Sequence, residues 1–284
     1  MNRRTRLLVL VLAGLVLLPP DAGAAGISVD AGVTPAKDRW IFRTMVRSMQ
    51  RDDDPTDMGR KMNMLVWNNV LAYGLKSNLT LILKQPVRRR KISTAGSSIS
   101  NTGLGDLELL AKYRLLRRNT RNTTFGLATT FQVSAPTGAT AITSETWDVQ
   151  PGVYGSFRRG AWATDFSAAY RLNGFSGARN DGRTIGDQLA LDWAAARQFL
   201  VRGSADITLA PVLELSYRDA AADQLLGQPA ANSGEQVVYL SPGMKFTRSS
   251  LILEALVQVP VWQDQNGAQV ERGTGFLLGL RKLF

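Results

Sequence analysis

Two residue types that most often carry chemistry are missing from this 284-residue chain, which has no His and no Cys. Without imidazole the commonest general base and metal ligand is gone, and no Ser-His-Asp triad or Ser-His hydrolase can be assembled. Without thiols there are no disulfides, thiolate nucleophiles or thiolate metal sites. What remains is charge. Arg43, Arg47, Lys84, Arg88, Asp106, Glu108, Lys112, Arg114, Asp148, Asp165, Arg171, Asp192, Asp206, Glu214, Arg218, Lys245 and Glu254 fall at alternate positions in runs whose other positions are apolar. Such a set could line a wet lumen and set the size and charge of what passes. It could equally pair across neighbouring strands and fill an interior without conducting anything. Neither reading implies a cofactor, and no metal-ligand spacing stands out. Asp52-Asp53-Asp54 offers oxygen ligands for Ca²⁺ but reads more simply as a charged loop. Gly103-Leu104-Gly105 precedes a strand and lacks the helix that a phosphate loop requires.

The scaffold that must position these charges is clearest at Gly103–Leu116, GLGDLELLAKYRLL. Leu107, Leu109, Ala111, Tyr113 and Leu115 fall on one face, and Asp106, Glu108, Lys112 and Arg114 on the other, with Leu110 out of place. Period-two alternation over about ten residues with a charged second face suits a strand between lipid and a wet lumen. An amphipathic strand of a soluble sheet would share the pattern, so the rest of the chain decides.

The same alternation recurs along the chain and predicts twelve strands. They lie near 39–49, 61–73, 79–88, 103–116, 125–134, 148–157, 162–172, 188–193, 206–218, 238–246, 251–261 and 273–284. In strand 61–73 either Val66 and Val70 or Trp67, Leu71 and Tyr73 could face lipid. Longer loops (50–60, 89–102, 135–144, 173–183, 219–233, 262–269) alternate with tight turns of about four to six residues. An even strand count with one short-turn and one long-loop end predicts an all-β fold: a single antiparallel transmembrane β-barrel with short periplasmic turns. Trp40, Tyr73, Tyr113, Phe157, Trp162 and Phe284 lie near the short-turn ends and fit an aromatic girdle. No internal repeat points to a solenoid.

The start of the chain reads as a separate object. Arg3, Arg4 and Arg6 precede the apolar run Leu7–Leu18, Pro19-Pro20 breaks it, and Ala22-Gly23-Ala24 offers a cleavage site. This is the pattern of a secretory signal peptide, and the run is too short for a spanning helix. The expected organisation is therefore a signal peptide at 1–24, a lead-in without strong pattern at 25–38, and a barrel at 39–284. The formal charge of +11 and the run Arg88-Arg89-Arg90-Lys91 would suit lipid phosphates or simple solvation. An exported, lipid-patterned barrel is not expected to bind nucleic acid.

Several segments, in order, carry a resemblance. They are Tyr73-Gly74-Leu75, Gln85-Pro86-Val87, the Gly103–Leu116 strand, and Val133-Ser134-Ala135-Pro136-Thr137-Gly138. Leu240-Ser241-Pro242-Gly243, Val259-Pro260-Val261 and the terminal Phe284 follow. The chain resembles the outer-membrane transporter family named for the meta-pathway of phenol degradation. The resemblance implies an outer-membrane barrel that helps small organic solutes, aromatic ones included, to cross passively. It carries no catalytic residues. The implied partners are outer-membrane lipid, the solute, and the barrel-assembly machinery, reached through the last strand ending at Phe284. Lys282 departs from the apolar pattern of that strand. A plugged structural or surface-interaction barrel is the alternative.

Overall fold

The computed structural model describes residues 25–201 and 207–284; the expected leader and Asp206 lie outside the described residues. Twelve strands form the wall. They are β1 (Trp40–Asp53), β2 (Lys61–Lys76), β3 (Leu79–Thr94), β4 (Leu107–Asn119), β5 (Thr123–Ala135), β6 (Asp148–Arg159), β7 (Trp162–Arg171), β8 (Gln188–Arg197), β9 (Ile207–Ala220), β10 (Glu235–Arg248), β11 (Leu251–Gln265) and β12 (Gly275–Leu283). Each pairs antiparallel with the next. β12 returns to β1, from Ile41↔Leu283 to Ser48↔Phe276, so the sheet closes. Closure leaves no edge whose N–H and C=O groups would be stranded in lipid. Tight turns and both barrel termini share one end, and the long loops share the other.

The outside is apolar. Val46, Trp67, Leu83, Leu109, Phe131, Val153, Leu213, Leu253 and Leu278 all stand exposed on it. A surface of that extent has to meet lipid. Trp40 stacks on Tyr73 at 4.4 Å between ring centroids at the short-turn end, and Tyr113, Phe157 and Phe284 are exposed there too. Trp162 is partly buried against the cluster of Ala25, Val29, Ala163 and Ala194, while Arg197 lies over its ring at 5.3 Å.

Several boundaries differ from the sequence expectation for one reason. Beyond the lipid both faces of a strand are wet, so backbone pairing continues while hydrophobic alternation stops. β1 therefore runs on to Asp53. The stretch 89–102, expected as a loop, is a two-stranded extension in which β3 pairs with Ser97–Leu104 (Arg89↔Thr102, Ile92↔Ile99). Gly103 and Leu104 end that hairpin, and β4 starts only at Leu107. In the open 53–61 loop, Arg60 occupies Asp54 through its Nε (3.0 Å) and Nη2 (2.7 Å). That guanidinium, with hydrogen bonds from the backbone of Arg60 and from Thr56, holds the Asp54 carboxyl below the usual carboxylate range.

The ambiguous face of β2 is resolved. Leu65, Trp67 and Leu71 point outward and Val66 and Ala72 are buried inside. In β4, Leu110 is buried inward, and a bulge between Arg114 and Leu116 brings both Leu115 and Leu116 to the outside. Depth now makes a prediction. Leu109 pairs with Leu83 and Val133 within the wall, so Leu109→Arg should cost roughly 2–4 kcal/mol. Leu115→Arg, near the short turn, should cost about 0–1 kcal/mol. Folding yield into liposomes at graded urea measures both; equal losses would mean that Leu109 is not deep in lipid.

Candidate functional site: the barrel lumen

The least patterned part of the described sequence lies inside the lumen. Residues 25–38 turn in at the short-turn end, where Asp38 N–H donates to the Gly74 carbonyl (2.8 Å), and wind along the inner wall. Small residues make room for them. Val33 packs on Gly126, and a Cβ on Gly32 would collide with the Tyr154 and Gly126 carbonyls, so neither glycine can carry a side chain here. Ile27 is buried with Ala196, Val212, Leu256 and Leu277.

Charges tie the segment down. Glu214, fully buried, accepts hydrogen bonds from the Ser28 N–H (2.9 Å), the Ile27 N–H and the Ser28 hydroxyl. Lys112 Nζ donates to the Ala31 carbonyl (2.7 Å) and lies over the Tyr154 ring at 5.2 Å. Lys245 reaches the Gly26 carbonyl (3.3 Å), Arg43 the Ile27 carbonyl (2.5 Å) and Arg114 the Thr34 hydroxyl (3.1 Å). A hydrogen bond with one charged partner is stronger than a neutral pair, so five of the sequence-selected residues act here as clamps on the segment, four of them through its backbone.

Other selected residues pair with one another or with charges, Arg158 and Arg281, that were not selected. Arg43 and Arg281 converge on Glu254 at 2.6 and 2.8 Å. Arg171 bridges Asp148 (2.8 Å) and Glu108 (3.7 Å), and Lys84 lies 3.8 Å from Glu108. Arg218 meets Asp192 at 2.7 Å, and Arg158 meets Asp165 at 3.3 Å.

Asp106 has a different task. It accepts from Gly138 N–H (2.9 Å), the Thr143 hydroxyl (2.7 Å) and Ser144 N–H (2.7 Å), folding the 136–147 loop into the outer mouth. Ala139 N–H adds a bond to the Leu104 carbonyl (2.9 Å), and Leu107 N–H one to the Thr137 hydroxyl (3.0 Å). The Gly-Leu-Gly-Asp and Pro-Thr-Gly segments of the sequence thus hold each other.

Beside the N-terminal segment a cavity of about 910 Å³ follows the inner faces of β1, β2 and β3. Arg90, Ile142 and Arg179 border it towards the long loops, and Ile41, Leu283 and Pro35 towards the short-turn end. Along β3 its lining runs from Thr80 to Arg90, ten steps of about 3.3 Å. A second cavity of about 480 Å³ adjoins β8 and β9, and Ser28, Asp30, Arg47, Lys84 and Arg171 border both. Arg47, Lys84, Arg88, Glu108 and Asp148 line the first, while Asp192 and Arg218 line the second.

Sequence reasoning left out Arg51, Glu235 and Arg272, which form a second buried cluster (Arg51 to Glu235, 2.7 Å) near the long loops. It also left out Arg90, Arg281, Asp30 and the inward methionines. Arg51, Met45 and Met49 share the parity of Arg43 and Arg47 and were within reach of that signal; Asp30, in the unpatterned segment, was not.

A closed twelve-strand wall, apolar outside and charged within, defines a membrane β-barrel protein. The chain belongs to the family described as "Putative MetA-pathway of phenol degradation", whose match spans residues 61–265. Among solved structures it is similar to an outer-membrane channel from Pseudomonas putida F1, at 16% identity and TM-score 0.70, over 91% of this chain and 100% of that one. It is also similar to the β domain of the Bordetella autotransporter BrkA, at 12% identity and TM-score 0.51, over 87% of this chain and 100% of that one. Among curated proteins nothing matches.

Proposed function

We propose that the exported chain is an outer-membrane channel for the passive passage of small organic solutes, aromatic ones included, with no catalytic role. The observation that carries this reading is the cavity along β1–β3, bordered by residues from both ends of the barrel. Its run of about 30 Å along the strand is comparable to the apolar height of an outer-membrane barrel, about 25 Å. The similarity to the Pseudomonas putida channel supports the same reading. Insertion would use the assembly machinery: Phe284, exposed, donates its N–H to the Trp40 carbonyl (2.9 Å) across the seam where the last strand meets the first.

A second reading, a plugged barrel that transports nothing, is favoured by the N-terminal segment inside the lumen. Planar bilayers separate the two. Mature protein beginning near Ala25, purified from the outer membrane and heat-modifiable on gels, should give small, stable conductance steps. Twelve strands enclose more than their side chains fill, yet far less than a porin of 16–18 strands. Silence from a folded sample would establish the plugged barrel.

A further inference from the structure

The wall of the large cavity is unlike the rest of the lumen. Two rows of paired residues cross β1, β2 and β3 on its inner face: Arg47↔Val66↔Arg88 and Met49↔Met64↔Arg90. Arg47 leans away from Val66, its Nε donating to Gln258 (2.9 Å). Arg88 leans the other way, towards Gly105. The flanking guanidiniums therefore leave an apolar floor of Met45, Met49, Met64, Val66, Val70 and Ile82 open between them. Strands lie about 4.8 Å apart, so the backbones of Arg47 and Arg88 stand about 10 Å apart, enough for a six-membered ring or a short alkyl chain.

The charge around this floor is not balanced. Glu108 and Asp148 are answered by Arg171 and Lys84. Asp106 is occupied by its three donors, and Asp30 sits in the field of Lys112, Lys84, Arg43 and Arg281. Among the described residues Arg47, Arg88 and Arg90 have no carboxylate within ion-pair distance. Arg47 bonds only an amide. Arg90 donates weakly to the Ala141 carbonyl (3.3 Å) and leaves its buried Nε without a partner. Planar guanidiniums with free donors fit a carboxylate, and methionines adapt to apolar bodies of varied shape.

We propose that this part of the conduit is a binding site for small amphipathic monoanions, a carboxylate on a compact apolar body. The carboxylate is held by Arg88 and Arg90, and the body lies on the Met49–Met64–Val66 floor. Neutral molecules of the same shape gain only the floor; inorganic anions gain only the arginines. The inference rests on the lumen admitting solutes from the long-loop end and names their class.

The test uses folded mature protein and four probes: benzoate, hexanoate, benzyl alcohol and chloride. Calorimetry should show benzoate and hexanoate binding at least about tenfold more tightly than benzyl alcohol, as expected for one charge-assisted hydrogen-bonded contact. In bilayers both carboxylates should interrupt the chloride current transiently. Arg88→Gln combined with Arg90→Gln should remove that preference while heat-modifiability is retained. Met64→Gln should weaken both carboxylates and benzyl alcohol alike. Chloride conductance with benzoate binding no tighter than benzyl alcohol overturns the site and leaves the channel standing. Tight benzoate binding without conductance keeps the site and overturns the channel. Arg88→Gln and Arg90→Gln as single variants serve if the double variant does not fold; an unchanged carboxylate preference in both, with no folded double variant, also overturns the site.

Discussion

Mature protein lacking residues 25–37 should conduct several-fold more current per channel than the intact chain, with noisier open levels. The segment occupies the lumen beside the β1–β3 conduit, and it is held by groups from several strands around the barrel: Glu214, Lys245, Lys112, Arg114 and Arg43. The wall itself is hydrogen-bonded strand to strand and does not need the segment to close. Its removal leaves a barrel whose interior charges are met by water, and conductance rises with the added cross-section. Glu214→Ala tests the same point with one side chain. It withdraws the acceptor from Ile27 N–H, Ser28 N–H and the Ser28 hydroxyl, at roughly 1–3 kcal/mol for each donor left dry and less where water enters. Frequent transitions to the larger level, and faster proteolysis near residue 28, are expected. Equal conductance in all three proteins would show that the segment does not limit the current.

Glu254→Ala should lower the barrel's thermal stability more than any other single change inside it. Glu254, on β11, accepts Arg43 of β1 and Arg281 of β12, so one carboxylate spans the seam where the chain's two ends meet. Its side chain is fully buried, and those of Arg43 and Arg281 are 12% and 28% exposed. Removing one member of a buried ionic group leaves its partners uncompensated and costs about 3–5 kcal/mol. Water in the lumen reduces this, because Arg281 is partly hydrated. The readout is the temperature at which the compact form disappears on unheated gels. Replacing Arg43, Glu254 and Arg281 together by apolar residues of similar volume should recover most of the loss. If Glu254→Ala melts with the wild type, the triad contributes nothing to closure.

Much of this architecture is legible in the chain without coordinates. A strand between lipid and water must alternate, so Leu107–Leu115, Phe125–Val133 and Leu251–Val261 announce themselves and their inward charges. The absence of His and Cys removes whole classes of chemistry outright. Alternation fails where its cause fails. Above the lipid, Arg89–Thr94 and Ser97–Thr102 pair as strands with no apolar face to reveal them. On β2 both faces are apolar, because one meets lipid and the other is the floor of the conduit, so period two could not choose between Val66 and Trp67.

By itself the sequence determined the strand count, the face of most strands and the end at which the turns are short, since each follows from local periodicity and spacing. Tertiary structure alone decided what the inward charges do. Glu214, Lys112 and Lys245 were selected as lumen charges, and only the path of residues 25–38 makes them clamps. Asp106 became a loop anchor because Gly138 and Ser144 arrive beside it from the next hairpin. Arg47, Arg88 and Arg90 are left uncompensated because the acids near them are engaged by residues far away in sequence. Periodicity reports which side a residue faces. Its partner across a lumen depends on where twelve separate strands place their side chains around one axis.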